Sequence, residues 1–108
     1  MSAKKINIEI EQGATFSYEV ELLNANGAAF DVTGYTGSGM LRKHEKSNTH
    51  YDFIVALSTG EIVFSMTANT TNAIPSGLFL YDVKIVSSDD TKRVIGGMAT
   101  VTGQIART

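Results

Sequence analysis

The sequence predicts an all-β protein, built as a two-sheet sandwich of antiparallel strands. Large apolar residues recur at every second position in several short segments, which is the period of a strand with one buried face. Turn-forming residues separate these segments at roughly ten-residue intervals, as in β-sandwiches. Ten glycines and a single proline in 108 residues, with no long segment of helical period, also favour strands joined by tight turns.

The length predicts one domain over residues 1–108, because domains usually contain on the order of 100 to 150 residues. A chain of this size can bury a hydrophobic core without covalent links. The sequence contains no cysteine, which excludes disulfides, thiolate metal sites and thiol catalysis.

The first two strands follow from clean alternation. In residues 4–11 the isoleucines at positions 6, 8 and 10 face one side and polar residues face the other. Residues 16–22 repeat this period with Phe16, Tyr18, Val20 and Leu22. The short break at 12–14 contains Gly13, so the chain either turns back as a hairpin or crosses between the two layers.

The next part of the chain carries a weaker strand pattern. The Asn26–Gly27 pair marks a turn, and an extended piece follows over 28–32. Gly37 and Gly39 then interrupt a strand-like segment over 35–44. Glycine inside a strand marks a bulge or a close approach of other atoms, and we expect Met40 and Tyr35 to be the inward residues here.

Residues 51–57 and 62–66 predict a hairpin, with a glycine-containing loop at 58–60. Thr67 is placed to cap one short helical turn near 68–73. Pro75 prevents that turn from continuing.

The clearest strand covers residues 78–86, where Phe79, Tyr81, Val83 and Ile85 alternate with more polar residues. A polar turn at 87–91 leads into a final strand over 92–105. In that strand the inward residues are Ile95, Ala99 and Val101, and we predict a bulge at Gly96–Gly97. Seven to eight strands result, in an immunoglobulin-like or related sandwich.

The charge balance disfavours nucleic acid as a partner. Nine Lys and Arg against eleven Asp and Glu give a net charge of −2, whereas binding a phosphate backbone relies on a basic face. The N-terminal region is basic, but it alternates and never becomes the continuous apolar run of a signal peptide or membrane span. We therefore expect a soluble, unprocessed chain with no membrane partner.

No reactive site emerges from the motifs. Ser38 lies between two glycines but lacks the spacing of a nucleophile elbow. His44, His50, Glu45 and Asp52 surround one loop, and His50 and Asp52 could share a strand face, yet a transition-metal site needs three or four converging ligands. We predict no catalytic, cofactor-binding or metal-binding residues and no small-molecule substrate.

Three weaker features have ordinary explanations. Asp89 and Asp90 lack the spacing of a calcium loop and suit a solvated turn. The basic cluster at 42–46 suits a solvated strand end, with a partner interface as the alternative. The tyrosines could form a stacking platform for a sugar, but Tyr18 and Tyr81 lie on apolar strand phases, which favours core packing.

Four segments, taken in order, resemble a known family. They are I-E-I-E-Q-G-A-T-F-S-Y-E-V-E-L at 8–22, F-D-V-T-G-Y-T at 30–36 with a basic R-K after it, T-G-E-I-V-F-S-M-T-A at 59–68 and I-P-S-G-L-F-L-Y-D-V-K-I at 74–85. This succession resembles small β-sandwich structural proteins of tailed bacteriophage virions, which occur in tails, baseplates, necks and fibre attachments. The likeness covers nearly the whole chain.

The resemblance implies assembly without catalysis. It implies a protein that is made in the bacterial host cytoplasm, becomes part of the virion, and binds other virion proteins and copies of itself. A glycine-rich edge at 37–40, or the N-terminal strand, could pair with a neighbour's sheet. The alternative is a module that binds carbohydrate or a host surface.

Overall fold

The structure is a computed structural model that describes residues 4–44, 46 and 48–103. It is mostly β, as predicted, and its one helix among these residues has five residues. The elements in order are β1 Lys4–Lys5, β2 Ile8–Glu11, β3 Phe16–Glu21, β4 Thr36–Arg42, β5 His50–Ser58, β6 Glu61–Met66, α1 Ala68–Asn72, β7 Gly77–Val86 and β8 Thr91–Thr102.

The strands form one sheet in the order β1-β8-β7-β4-β5-β6-β3, with β2 continuing β1 along β8. The sheet curls into a half-barrel. The change of direction falls in β5, whose first part pairs with β4 and whose second part pairs with β6. The two outer edges of the half-barrel are therefore formed by β1 with β2 on one side and by β3 on the other.

The sheet is mixed, whereas the sequence predicted antiparallel strands. β1 and β2 run parallel to β8, and the other named pairs are antiparallel. The break after β2 does not form a hairpin, because the chain crosses there from one edge of the sheet to the other. Alternation of side chains is the same in parallel and antiparallel strands, so the sequence pattern could not indicate this direction.

The core lies inside the curl. The rings of Phe64 on β6 and Tyr81 on β7 stack at 5.9 Å between centroids, although β4 and β5 separate these strands in the sheet. The buried apolar side chains are Ile8, Ile10, Val20, Leu22, Leu41, Phe53, Ile62, Phe64, Met66, Ile74, Phe79, Tyr81, Val83, Ile85, Val94, Ile95, Ala99 and Val101.

The helix α1 follows β6 and contacts the segment that connects β2 to β3. Thr67 caps it as predicted, with its side chain accepting a hydrogen bond from the Thr70 amide at 3.3 Å. The buried Thr71 hydroxyl donates to the Ala14 carbonyl at 2.8 Å and accepts from the Gly13 amide at 3.1 Å. The helix is thereby fixed to the crossing between β2 and β3.

Strand β4 corrects two predictions. Leu41 faces the core and is fully buried, whereas Met40 lies on the opposite face and is partly exposed. The inward positions before Leu41 are glycines because a Cβ at Gly37 would lie 2.3 Å from the Val55 Cγ1 atom. β4 also pairs with β5 and β7 on its two sides, so the expected pairing of residues 37–40 with a neighbour's sheet is wrong.

The bulge in β8 lies at Val94 and not at Gly96–Gly97. Val83 is opposite Ile95 and Lys84 is opposite Arg93, which leaves Val94 as the extra residue. Val94 and Ile95 are consequently both buried. Positions 104–105 of the predicted last strand lie outside the described residues.

The extended piece predicted over 28–32 adds no named strand. Ala29 forms a single bridge with Leu23. None of the helices described is long and apolar enough to cross a membrane.

Candidate functional site

The histidine and carboxylate pair predicted to share a strand face does so. His50 Nδ1 lies 2.8 Å from Asp52 Oδ1, at the exposed start of β5. Over residues 4–44, 46 and 48–103, no group of three His, Asp or Glu side chains is placed to hold a metal ion. Glu45, the further ligand considered from the sequence, lies outside the described residues. His50 and Asp52 form this hydrogen bond at an exposed position.

The tyrosines do not form a common platform. Tyr35 packs on Phe30 at 5.6 Å between ring centroids, and Tyr51 meets the edge of Phe79 at 6.4 Å. Tyr18 and Tyr81 both pack against Phe64. Each ring is at least half-buried against other core groups, so core packing explains them.

The Asp90 carboxylate belongs to the turn between β7 and β8. It lies 3.1 Å from the Lys92 Nζ atom and accepts a hydrogen bond from the Tyr35 hydroxyl at 3.2 Å. The hydrogen bond from Lys92 is the main reason why the pKa of Asp90 lies below its usual value. These contacts fasten the turn to Tyr35.

The first two residues of the basic cluster at 42–46 contact other side chains of the protein. The Lys43 Nζ atom lies over the Phe79 ring, 4.9 Å from its centroid, which is within the range of a cation–π interaction. Arg42 Nη2 approaches Met40 Sδ at 3.4 Å.

Ser38 lies within the central strand β4, opposite Lys84, and not in a strand-to-helix elbow.

A buried tyrosine joins the N-terminal segment to the core. The Tyr81 hydroxyl, on a residue that is 4% exposed, donates to the Ile6 carbonyl at 2.5 Å. Gly97 lies opposite Tyr81 on β8, and a Cβ there would lie 2.5 Å from the same carbonyl oxygen. The Asn7 Oδ1 atom accepts the Met98 amide at 3.2 Å. Sequence reasoning missed this contact, for which the two glycines in β8 were the available signal.

Burial raises the pKa of Tyr81 from its usual value of 10.0 to about 12, with the nearby Tyr18 as a second cause. A pKa that is higher in the folded state gives stability that is present below pH 10 and lost as the pH rises towards 12. We expect the free energy of unfolding to fall by about 2 to 3 kcal/mol over this interval on account of Tyr81.

Urea unfolding between pH 8 and 12 would measure this loss. Tyr81→Phe should be less stable near neutrality by about 1 to 3 kcal/mol, because the Ile6 carbonyl loses its partner, and should lack this part of the alkaline loss. Tyr35→Phe is the matched control, since its hydroxyl bonds an exposed turn carboxylate. Parallel pH profiles for the wild type and Tyr81→Phe would contradict the assignment.

Two surfaces of the domain stand out as candidates for binding. The first, which we name the outer patch, consists of Leu78, Leu80 and Met98 on the outer face of β7 and β8. Their exposed fractions are 53%, 42% and 40%, and Leu80 lies directly opposite Met98. Three large apolar side chains therefore form one exposed group on neighbouring strands.

The second surface, which we name the seam, is an open groove of about 380 Å³ between the two edges of the half-barrel. Its lining residues come from the N-terminal edge, from β3 and from the start of β6: Lys4, Ile6, Tyr18, Glu19, Val20, Glu21 and Glu61. Its apolar members are Ile6, Tyr18 and Val20, and its charged members are one lysine and three glutamates.

These observations define a small all-β protein with an exposed apolar patch and an open seam. No family model matches the chain, and no curated protein matches it. It is similar in structure to a family 123 glycoside hydrolase from Clostridium perfringens, described in connection with glycolipid glycan hydrolysis, with a TM-score of 0.45 and 7% identity over 96% of this chain. The chain spans 24% of that protein.

It is also similar to an uncharacterized protein from Bacillus anthracis str. Ames, with a TM-score of 0.42 and 12% identity, over 94% of this chain and 86% of the other. At such low scores and identities, neither likeness carries an inference about activity.

Proposed function

We propose that this chain is a non-enzymatic structural component of a tailed bacteriophage particle, which acts by binding other virion proteins and copies of itself. The outer patch is the observation that supports this role best. Contiguous apolar side chains surrounded by polar residues are typical of protein interaction sites. The resemblance of four ordered sequence segments to virion proteins of the tail, baseplate, neck or fibre attachment supplies the setting.

The surroundings of the outer patch suit a protein interface. Arg42 lies opposite Leu80 on β4, on the side away from Met98. Asp82, two residues further along β7, pairs with Arg93 at 3.5 Å. An apolar centre with Arg and paired charges at its rim matches the usual composition of such interfaces.

Within this proposal the curled sheet acts as a two-layer sandwich. One layer would consist of β1, β2, β8, β7 and β4, the other of β6 and β3, with β5 shared between them. A ring contact across the interior supports two facing layers, because Phe64 on β6 and Tyr81 on β7 stack at 5.9 Å between their centroids. The outer faces and the edges then remain for contacts with other subunits.

Synthesis in the bacterial host cytoplasm and residence in the virion complete the proposal, without a nucleic-acid, membrane or small-molecule partner. The absence of cysteine and the small net charge are compatible with it. The carbohydrate-binding alternative gains no support, because the tyrosines that suggested it do not form one common platform.

Mass spectrometry of tailed particles, purified after induction of the host strain that carries the gene, tests the role. We expect the chain in the particles, and particles without it would reject the proposal. Leu80→Glu should melt at a temperature close to that of the wild type, because Leu80 is exposed. Its incorporation should fall by about tenfold or more, as expected when an interface anchor is lost.

Lys84→Glu is the matched control, at an exposed position further along the same strand. It should be incorporated normally. If Leu80→Glu and Lys84→Glu are incorporated equally well, the outer patch is not the docking surface.

A further inference from the structure

The seam offers a backbone edge as well as a groove. Within the described residues, β3 pairs with β6 alone, so its other side has no strand beside it. The Leu22 amide donates to the Gly60 carbonyl at 2.9 Å, which shows that even-numbered positions direct their backbone groups towards β6. Since this direction alternates along an antiparallel strand, the amides and carbonyls of Ser17, Glu19 and Glu21 point into the seam.

The side chains along this edge are sorted by face. Tyr18 and Val20 point inwards and, with Ile6 from the opposite edge, are the apolar side chains that line the seam. Glu19 and Glu21 point outwards and are exposed. A strand added beside β3 would therefore meet apolar residues at one set of positions and carboxylates at the other set.

The charge of the seam is not balanced within the described chain. Glu21 lies directly opposite Glu61, and like charges in such a pair repel each other. Among the residues that the structure describes, Lys4 is the one cationic side chain that lines the groove, against Glu19, Glu21 and Glu61. The ion pairs found among the described residues involve none of these three glutamates.

We propose that the seam binds an extended segment of a partner protein in which apolar residues alternate with lysine or arginine. The segment pairs with β3 through the backbone groups of Ser17, Glu19 and Glu21 and bridges the open side of the half-barrel. Its apolar residues cover Tyr18 and Val20, and its cationic residues lie beside the glutamates. This inference rests on the proposed assembly role for its choice of a polypeptide occupant.

A short peptide of alternating lysine and valine is a suitable probe for the intact chain. We expect it to shift the amide NMR signals of residues 17–21 and to slow hydrogen exchange at Ser17, Glu19 and Glu21. The matched peptide with glutamate in place of lysine should bind at least about tenfold more weakly, because its glutamates would lie beside the outward glutamates of β3 and repel them. N-methylation of the backbone amides that face β3 should abolish binding.

Variants separate charge from backbone pairing. The double variant Glu19→Lys, Glu21→Lys should bind the lysine peptide about tenfold more weakly than the wild type does. It should bind the glutamate peptide more tightly. Glu9→Lys, an exposed glutamate on β2 that does not line the seam, is the control for the change in net charge. It should leave both affinities within about twofold of the wild type.

Glu19→Pro removes an amide that β6 does not use, so the fold should survive while peptide binding is lost. Glu19→Thr keeps the amide and should bind better than Glu19→Pro. Equal binding by these two variants, or peptide shifts at the outer patch and not at residues 17–21, would overturn the proposal. Absence of peptide binding would also overturn it, whereas incorporation of the chain into particles would still support the proposed function.

Discussion

Replacement of Val83 by aspartate is expected to unfold the domain. Val83 is fully buried on β7, between the strands β4 and β8. A carboxylate at this position would lie in the core without a partner, which costs several kcal/mol. Since the total stability of a domain is about 5 to 15 kcal/mol, this one substitution is sufficient to abolish cooperative folding.

Circular dichroism during thermal melting, together with the dispersion of the NMR spectrum, would report the loss. Lys84→Asp is the matched control, because it introduces the same side chain at the adjacent, exposed position. That variant should change the stability by less than about 0.5 kcal/mol. Similar melting curves for the two variants would show that the face of β7 has been assigned wrongly.

The strands with alternating apolar residues were predictable, because the alternation itself indicates which side chains are buried. Every second residue in 79–85 is buried as expected, and so are Ile62, Phe64 and Met66 on β6. The short helix was predictable for a related reason, because Thr67 and Pro75 fix its start and its limit through local chemistry. Features that depend only on residues close together in the sequence can thus be predicted from it.

Two of the errors occurred in strands where glycine occupies an inward position. In β4 the facing side chain of Val55 fills the space beside Gly37. The inward side of this strand therefore shows few apolar residues, and Met40 was assigned to the core in place of Leu41. In β8 the glycine pair suggested a bulge, whereas the extra residue is the apolar Val94, for which a single sequence gives no signal.

The two surfaces that we propose for binding could not be predicted either. The seam exists because residues 4–11 pair in parallel with β8, at the far end of the chain. The outer patch exists because Leu80 and Met98 are brought opposite each other by the register of β7 and β8. Both depend on pairing between distant segments, which the period of a single strand does not determine.

Gly97→Ala is expected to be the second most damaging substitution, because it separates the N-terminal strands from the sheet. The added Cβ would lie 2.5 Å from the Ile6 carbonyl oxygen and 3.3 Å from Asn7 Oδ1. The backbone φ of +154° is itself unusual for a residue with a side chain. Displacing Ile6 removes the acceptor of the Tyr81 hydroxyl and disturbs the Asn7 contact with Met98.

We expect Gly97→Ala to lower the free energy of unfolding by about 3 kcal/mol, from overpacking together with a lost buried hydrogen bond. Urea unfolding would measure it, with Gly103→Ala as the control because nothing lies within 4 Å of a Cβ there. The double variant Gly97→Ala with Tyr81→Phe should lose less than the sum of the two single losses, since both remove the same bond. Full additivity would mean that the alanine is accommodated without moving Ile6, and that the N-terminal strands are held to the sheet independently of Tyr81.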